Sequence, residues 1–395
     1  MKAGWQQTTL GSVAQVGAGN PAPQGGALFA DGIHPFFRTS DAGRVRFGDI
    51  TESSDYLNDE GVKGLRRFPA GTILFPKSGA STFLNHRVML GVDGYVSSHL
   101  ATIVGDETKV DRRFLLYFLS TVSAQDLIQD HAYPSLNLPL ITGIPVPLPP
   151  LPEQHRIVDI LDEAFDGIAT AKASAEQNLQ NARALFESHL QSVFTERGAG
   201  WVDRTLDKVC IVERGSSPRP IKSYFTTAAD GVNWIKIGDT EEGGKYVFST
   251  AQKITPEGAK QSRYVKEGDF ILTNSMSLGR PYIMKTNGYI HDGWFVLRLG
   301  DGIDSEFFYY LLSSSYVQAQ FHTLAAGAVV KNISGDLVKK AVLPIPPLAQ
   351  QHDLAERFFE FSEETQRLET LYRQKLTALD DLKKSLLHRA FSGQL

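Results

Sequence analysis

Cysteine occurs once in these 395 residues, at Cys210. That excludes an internal disulfide and fits a reducing compartment, so a cytoplasmic location is expected. No run approaches 18 uninterrupted apolar residues, and Met1-Lys2-Ala3-Gly4-Trp5-Gln6-Gln7 has no apolar core of a leader segment, so no membrane association is expected. No G-x-x-x-x-G-K-[ST] loop is present to cradle phosphates. Ten histidines are scattered without an H-E-x-x-H pair or a cysteine pair, which argues against a zinc site. A large excess of positive charge is missing too: the net charge is −4. A protein that gripped nucleic acid strongly by itself would be more basic.

What is there is a repeat. Pro147-Leu148-Pro149-Pro150-Leu151-Pro152-Glu153-Gln154-His155 returns 197 residues later as Pro344-Ile345-Pro346-Pro347-Leu348-Ala349-Gln350-Gln351-His352. Each strap runs into a long amphipathic stretch. Ile157, Leu161, Ala164, Ile168, Ala171, Ala175, Leu179, Ala182, Phe186, His189 and Val193 mark one apolar seam. The other is Leu354, Phe358, Phe361, Thr365, Leu368, Tyr372, Leu376, Leu379, Lys383, Leu386 and Ala390. Steps of three and four over five heptads predict helices, and no proline interrupts either after its first turn. Some 43 residues make a rod of roughly 65 Å. A seam of that length must be buried, and its nearest partner is the other copy, as a coiled coil.

The repeat also covers what precedes each helix. Gly4-Trp5, Thr9-Leu10 and Val13 recur as Gly200-Trp201, Thr205-Leu206 and Val209. Phe36-Phe37-Arg38-Thr39-Ser40-Asp41 recurs as Trp234-Ile235-Lys236-Ile237-Gly238-Asp239, and Asn137-Leu138 matches Asn332-Ile333. Strand-like runs at 71–75, 95–104, 268–273 and 294–299 alternate with short helices expected at 114–120 and 307–315. Asp111, and Asp304 or Ser305, are the capping candidates. The reading is α+β: two similar modules, 1–150 and 200–345, alternating with two long helices, 151–199 and 346–395. The helices are expected to pack against each other as a coiled coil. The modules hold 12 basic and 13 acidic residues (1–150) and 17 and 15 (200–340), whereas 151–199 holds 4 and 8.

The loops between matched elements diverge. Residues 17–31 and 215–230 share little beyond glycine and proline, and Gly17-Ala18-Gly19 is read as a turn because Pro21 and Pro23 follow it. His291-Asp292 is read as a turn with a local hydrogen bond rather than a catalytic pair. Asn274, Ser275, Ser277 and Arg280 combine an amide, hydroxyls and a guanidinium, the types that meet base edges and phosphates, and Lys77 and Ser78 stand at the matching place. Arg38, Arg44, Arg46, Lys236 and Lys285 are the other basic residues singled out in the modules, and Glu153, Gln154, His155, Gln350, Gln351 and His352 stand at the matching helix starts.

The doubled P-x-P-P-L-x-x-Q-H helix start, the aromatic-x-[KR]-x-x-D step, the G-D-x-I-L strand and the final Ala390-Phe391-Ser392-Gly393-Gln394-Leu395 together resemble the specificity subunit of Type I restriction–modification systems. The resemblance spans the whole chain. It implies that each module is a target-recognition domain reading one half of a split sequence in double-stranded DNA, with Arg38, Arg44, Arg46, Lys77, Ser78, Lys236, Asn274, Ser275, Ser277, Arg280 and Lys285 as the candidate DNA contacts. It implies that the two helices pack as an antiparallel coiled coil with pseudo-twofold symmetry, that two methyltransferase subunits clasp them, with Glu153, Gln154, His155, Gln350, Gln351 and His352 as the candidate subunit contacts, and that two restriction subunits are able to join. It also implies no activity in this chain, with S-adenosylmethionine, ATP and Mg belonging to the partners. The Asn/Asp-Pro-Pro-aromatic loop of amino-methyltransferases is absent. The alternative is a helical-hairpin adaptor that binds no DNA, which would leave the paired modules with divergent loops unexplained.

Overall fold

The computed structural model describes residues 4–128, 134–241, 243–274, 278–325 and 333–395. The chain divides into two compact units, residues 1–174 with 375–395 and residues 175–374. Each unit is therefore one module together with a segment of both long helices, and the boundaries cut through the helices instead of falling at their ends.

In the first unit a five-stranded sheet has the spatial order Ala14–Ala18, Leu100–Gly105, Ile73–Pro76, Arg87–Leu90, Phe47–Ile50. Only the last pair is parallel. A smaller sheet joins Asp55–Leu57, His34–Phe37 and Tyr95–Val96. The central strands read Ile-Leu-Phe-Pro and Arg-Val-Met-Leu and are buried on both faces. They therefore lack the polar alternation of a half-exposed strand.

The short helix Arg112–Thr121 covers one face of the large sheet. Asp111 caps it, its Oδ1 accepting from Phe114 N at 2.8 Å. Its Phe114 and Phe118 meet Phe391 of the second long helix edge-on, at ring-centre distances of 5.2 and 5.5 Å. Gly17 and Ala18 finish the strand Ala14–Ala18, so the expected turn lies later. Gly19 is where the strand crosses its neighbour: a Cβ there would stand 2.3 Å from Ser97 O.

The second unit repeats this plan. Its large sheet runs Cys210–Arg214, Trp294–Leu299, Phe270–Thr273, Pro281–Met284, Tyr246–Val247. A second sheet contains Val232–Ile235 and Gly288–Ile290. Gly215 repeats the tight crossing, with a Cβ 2.1 Å from His291 O. The helix Ser305–Ser313 is capped by Asp304, the first of the two candidates, through Phe307 N at 2.7 Å. Burial pushes the Cys210 thiol up to about 12. Iodoacetamide at pH 8 should therefore leave Cys210 unmodified in the folded chain and alkylate it once urea unfolds this unit.

The long helices are Leu151–Glu196 and Leu348–Ser392. They run antiparallel within each unit, joined by Lys172–Asp380 in the first and Arg183–Glu369 in the second. Ile157, Leu161, Ala175, Phe358, Thr365 and Ala390 of the predicted seams are buried. Near Phe194 the buried face turns from His189 and Val193 to Leu190 and Phe194, because the module packs there as well: Phe194 meets Phe307 at 5.8 Å and Phe358 at 5.6 Å. No helix among the described residues is long and apolar enough to cross a membrane.

Candidate nucleic-acid interface

One end of each large sheet gathers the divergent loops. In the first unit Ala18 pairs with Ala101, Pro76 with Leu100, and Phe47 with Arg87. The segments after 18 and 76 and before 47, 87 and 100 therefore meet at that end. The short loop 97–99 sits at its centre. Ser97 N donates to Phe37 O (2.9 Å), Ser98 N to Asn20 O (2.7 Å) and Lys77 N to His99 O (3.0 Å). Arg38, Lys77 and Ser78 are thereby brought around this loop, and Ser78 Oγ bonds His99 Nδ1 at 2.7 Å. The Arg38 guanidinium pairs with Asp55 and lies over the Phe36 ring, 5.1 Å from its centre, with about a third of the side chain exposed.

Arg46 lies at the same end. It is exposed, with φ of 68°, and its carbonyl accepts from Arg87 N at 3.0 Å. Arg44 does not join it. Its Nη2 donates to Glu52 O at 3.0 Å, beyond the opposite end of strand Phe47–Ile50.

Arg87, which the sequence did not single out, is fully buried and stacks on Phe75 with its guanidinium carbon 3.4 Å from the ring centre. It donates to His86 O (2.8 Å) and to Val122 O (3.1 Å) at the end of the short helix Arg112–Thr121. The negative end of that helix replaces a carboxylate as the partner. Burial pulls the guanidinium down to about 9, which leaves it a cation at neutral pH. It ties the end of the 77–86 loop to the helix.

In the second unit the loop 291–293 takes the place of 97–99. Gly215 N donates to Trp294 O (2.8 Å) and Asn274 N to Gly293 O (3.0 Å). Lys236 follows the strand Val232–Ile235, which pairs with Gly288–Ile290 beside this loop. Asn274 is corrected from contact to support. It is buried, and its amide donates to Asp292 O at 2.7 Å while its carbonyl accepts from Ile333 N at 3.2 Å. Its side-chain N–H is committed to the loop, and the carbonyl that accepts from Ile333 is that of the backbone.

Arg280 lies at this sheet end, its N–H donating to Thr273 Oγ1 at 2.9 Å. It borders a cavity of about 520 Å³ with Phe186, Tyr309 and His322. Lys285 lies apart from this group: it follows the opposite end of strand Pro281–Met284, with its ammonium 4.9 Å from the Tyr246 ring centre. Ser275, Ser277 and the Asn332 match lie outside the described residues.

The sequence passed over Ser217 and Arg219 in the divergent 215–230 loop. Ser217 Oγ donates to Asp292 Oδ1 at 2.7 Å and Arg219 Nη2 stands 3.7 Å from Asp292 Oδ2. The Ser217 hydroxyl holds the Asp292 carboxyl below the usual carboxylate range. The His291–Asp292 step is a turn, closed by Trp294 N to His291 O at 3.2 Å. His291 Nδ1 accepts from Gly293 N at 2.7 Å, and burial holds its pKa below the ordinary value. With Nδ1 accepting a backbone N–H, the ring anchors the loop.

The candidate subunit contacts split. Gln154 and Gln351 are buried and corrected to internal latches. Gln154 Oε1 accepts from Asp111 N (2.8 Å), and its Nε2 donates to Lys109 O (3.0 Å) and Pro149 O (2.8 Å). Gln351 repeats the set with Asp304 N (2.8 Å), Gly302 O (3.1 Å) and Pro346 O (2.9 Å). Gln350 accepts from Trp201 Nε1 at 3.1 Å, and Glu153 pairs with Arg156. His155 and His352 remain more than half exposed, beside the capping Asp111 (3.8 Å) and Asp304 (3.0 Å).

Two copies of one scaffold, each offering a differently furnished polar loop end, on helices paired by an apolar seam, define a two-headed recognition protein. The comparisons agree. The model of the Type I restriction modification DNA specificity domain matches residues 2–179 and again 199–378. The chain belongs to that family.

It is 23% identical to the Type I restriction enzyme MjaVIII specificity subunit of Methanocaldococcus jannaschii, over 92% of this chain and 87% of the relative. It is 22% identical to the EcoBI specificity subunit of Escherichia coli, over 89% and 79%. A chain from a structural study of complex assembly and conformational transition of the type I R-M system shares the fold. That match has a TM-score of 0.83 and 18% identity, covering 100% of this chain and 99% of that one.

Proposed function

We propose that this chain is the DNA sequence-recognition subunit of a Type I restriction–modification complex. Each module reads one half of a bipartite target, and the long helices dock methyltransferase subunits and fix the distance between the half-sites. The observation that supports this reading is the repetition of one scaffold with different side chains at the same sheet end. Arg38, Lys77, Ser78 and His99 furnish the first; Lys236, Ser217 and Arg219 furnish the second. Methyl transfer from S-adenosylmethionine and ATP-driven restriction with Mg are assigned to the partner subunits, so this chain acts by positioning.

The modules are near neutral in charge, and phosphate neutralisation supplies most non-specific affinity. The isolated chain should therefore bind duplex DNA weakly, with specific binding appearing only when methyltransferase subunits are added. Mobility shifts with and without the methyltransferase test this, and tight specific binding by the chain alone contradicts it. Arg219→Ala and Lys236→Ala should each weaken binding of the assembled complex. If either side chain meets phosphate, the slope of log affinity against log salt falls by about one. If it meets a base, discrimination falls at one position of one half-site only.

A further inference from the structure

We infer that the paired helices carry a charge code that admits the first helix only opposite the second, so that neither half of this duplicated chain pairs with its own copy in another molecule. Two ion pairs carry the code. Lys172 Nζ meets Asp380 Oδ1 at 2.8 Å, and Arg183 Nη2 meets Glu369 Oε2 at 2.9 Å. Under the 197-residue offset of the repeat, Lys172 and Glu369 occupy one position and Arg183 and Asp380 another. Both bridges thus join the same two positions of the repeat. The signs are divided by helix: the first holds both cations and the second both anions.

The consequence follows from the register. Two copies of the first helix, packed antiparallel as the present pair is, would set Lys172 against Arg183 twice. Two copies of the second would set Glu369 against Asp380 twice. Only the mixed pair has opposite signs at both places.

The seam offers no comparable choice. Ile157, Leu161, Ala175 and Ala182 on one helix and Ala355, Phe358, Thr365 and Ala390 on the other are buried without a charge. A duplicated chain with interchangeable seams risks exchanging halves between molecules, and flanking charges are the usual device against a wrong partner. The hydrogen bond from Lys172 holds the Asp380 carboxyl below the usual range, in keeping with a formed bridge. Glu369 also accepts from Arg373 of its own helix at 3.0 Å, so Lys172–Asp380 is the cleaner pair to change.

The test uses full-length chains carrying Gln177→Cys, an exposed position beside the point about which two first helices would cross. In Lys172→Glu/Asp380→Lys the bridge within the chain is rebuilt with its sign reversed, yet like helices now attract. The carboxylate introduced at position 172 would face Arg183 of another first helix, and Glu369 would face the ammonium introduced at position 380 of another second helix. Adding Arg183→Glu/Glu369→Arg inverts the whole code and makes like helices repel again. Each protein is unfolded in urea, refolded at high concentration and treated with a short bismaleimide, which links two molecules only when their first helices lie together.

The two-residue variant should give roughly tenfold more linked dimer than the chain with the original charges, and the four-residue variant should return to the original level. Equal yields from the original and two-residue chains overturn the inference. So does a four-residue chain that stays as high as the two-residue one. Arg183→Glu/Glu369→Arg alone makes the same prediction if the first pair does not refold.

Discussion

Gln154→Ala should lower the melting temperature of the first unit by about 6–12 °C and leave the second unit in place. The substitution strands the N–H of Asp111 and the carbonyls of Lys109 and Pro149, all of which the amide now satisfies. Leaving such buried groups unpaired costs on the order of 3 kcal/mol, and a domain of this size loses about 2–4 °C for each of these. Gln351→Ala should do the same to the second unit through Asp304, Gly302 and Pro346. Calorimetry separates the two transitions. Tryptophan fluorescence assigns them, because Trp201, Trp234 and Trp294 lie in the second unit and Trp5 in the first. A single unchanged transition in both variants would show that the latch contributes nothing.

The other large effect is on specificity. Replacing residues 200–340 with the corresponding module of a relative should exchange one half of the methylated sequence and leave the other half as it was. Discrimination between the old and the new half-site should change by at least about 10³. The transplant must keep the contacts that seat the module: Phe194 against Phe307 and Trp201, and Gln350 against Trp201. Methylation of a random DNA library by the complex reads out both halves at once. A transplant that altered both would mean that the modules read jointly.

The helices and the doubling were legible because they are matters of period. A seam at steps of three and four, repeated at a fixed offset, has no other economical explanation, and the caps were legible by position, as Asp111 in one module and as one of Asp304 and Ser305 in the other. The assignment of side chains at the sheet ends was less legible. Asn274 and the two latch glutamines carry groups of the kind that recognise ligands, yet the Asn274 N–H and both glutamine amides bond backbone atoms 18 to 47 residues away, and no local pattern says so. Arg44 and Arg46 differ by two residues and lie toward opposite ends of one strand. Arg87 was not singled out, because its partner is a helix terminus 35 residues further along the chain. Ser217 and Arg219 were hidden in a loop whose divergence was noted but whose fold, set by Gly215 passing beside His291, was not. In each case the deciding contact is tertiary.

The core of the first unit is closed from far away. Ala390 is fully buried in it, and Leu386, Leu387 and Phe391 pack against the short helix and strands laid down nearly 300 residues earlier in the 395-residue sequence. The second unit is built from the continuous stretch 175–374. On the ribosome, then, the order of completion is the reverse of the order of synthesis: the later module can finish while the earlier one still waits with its aromatic face uncovered. Until Phe391 emerges, Phe114 and Phe118 are a surface that a chaperone would hold. A nascent chain stalled before that point should be protease-resistant in its second module and sensitive in its first.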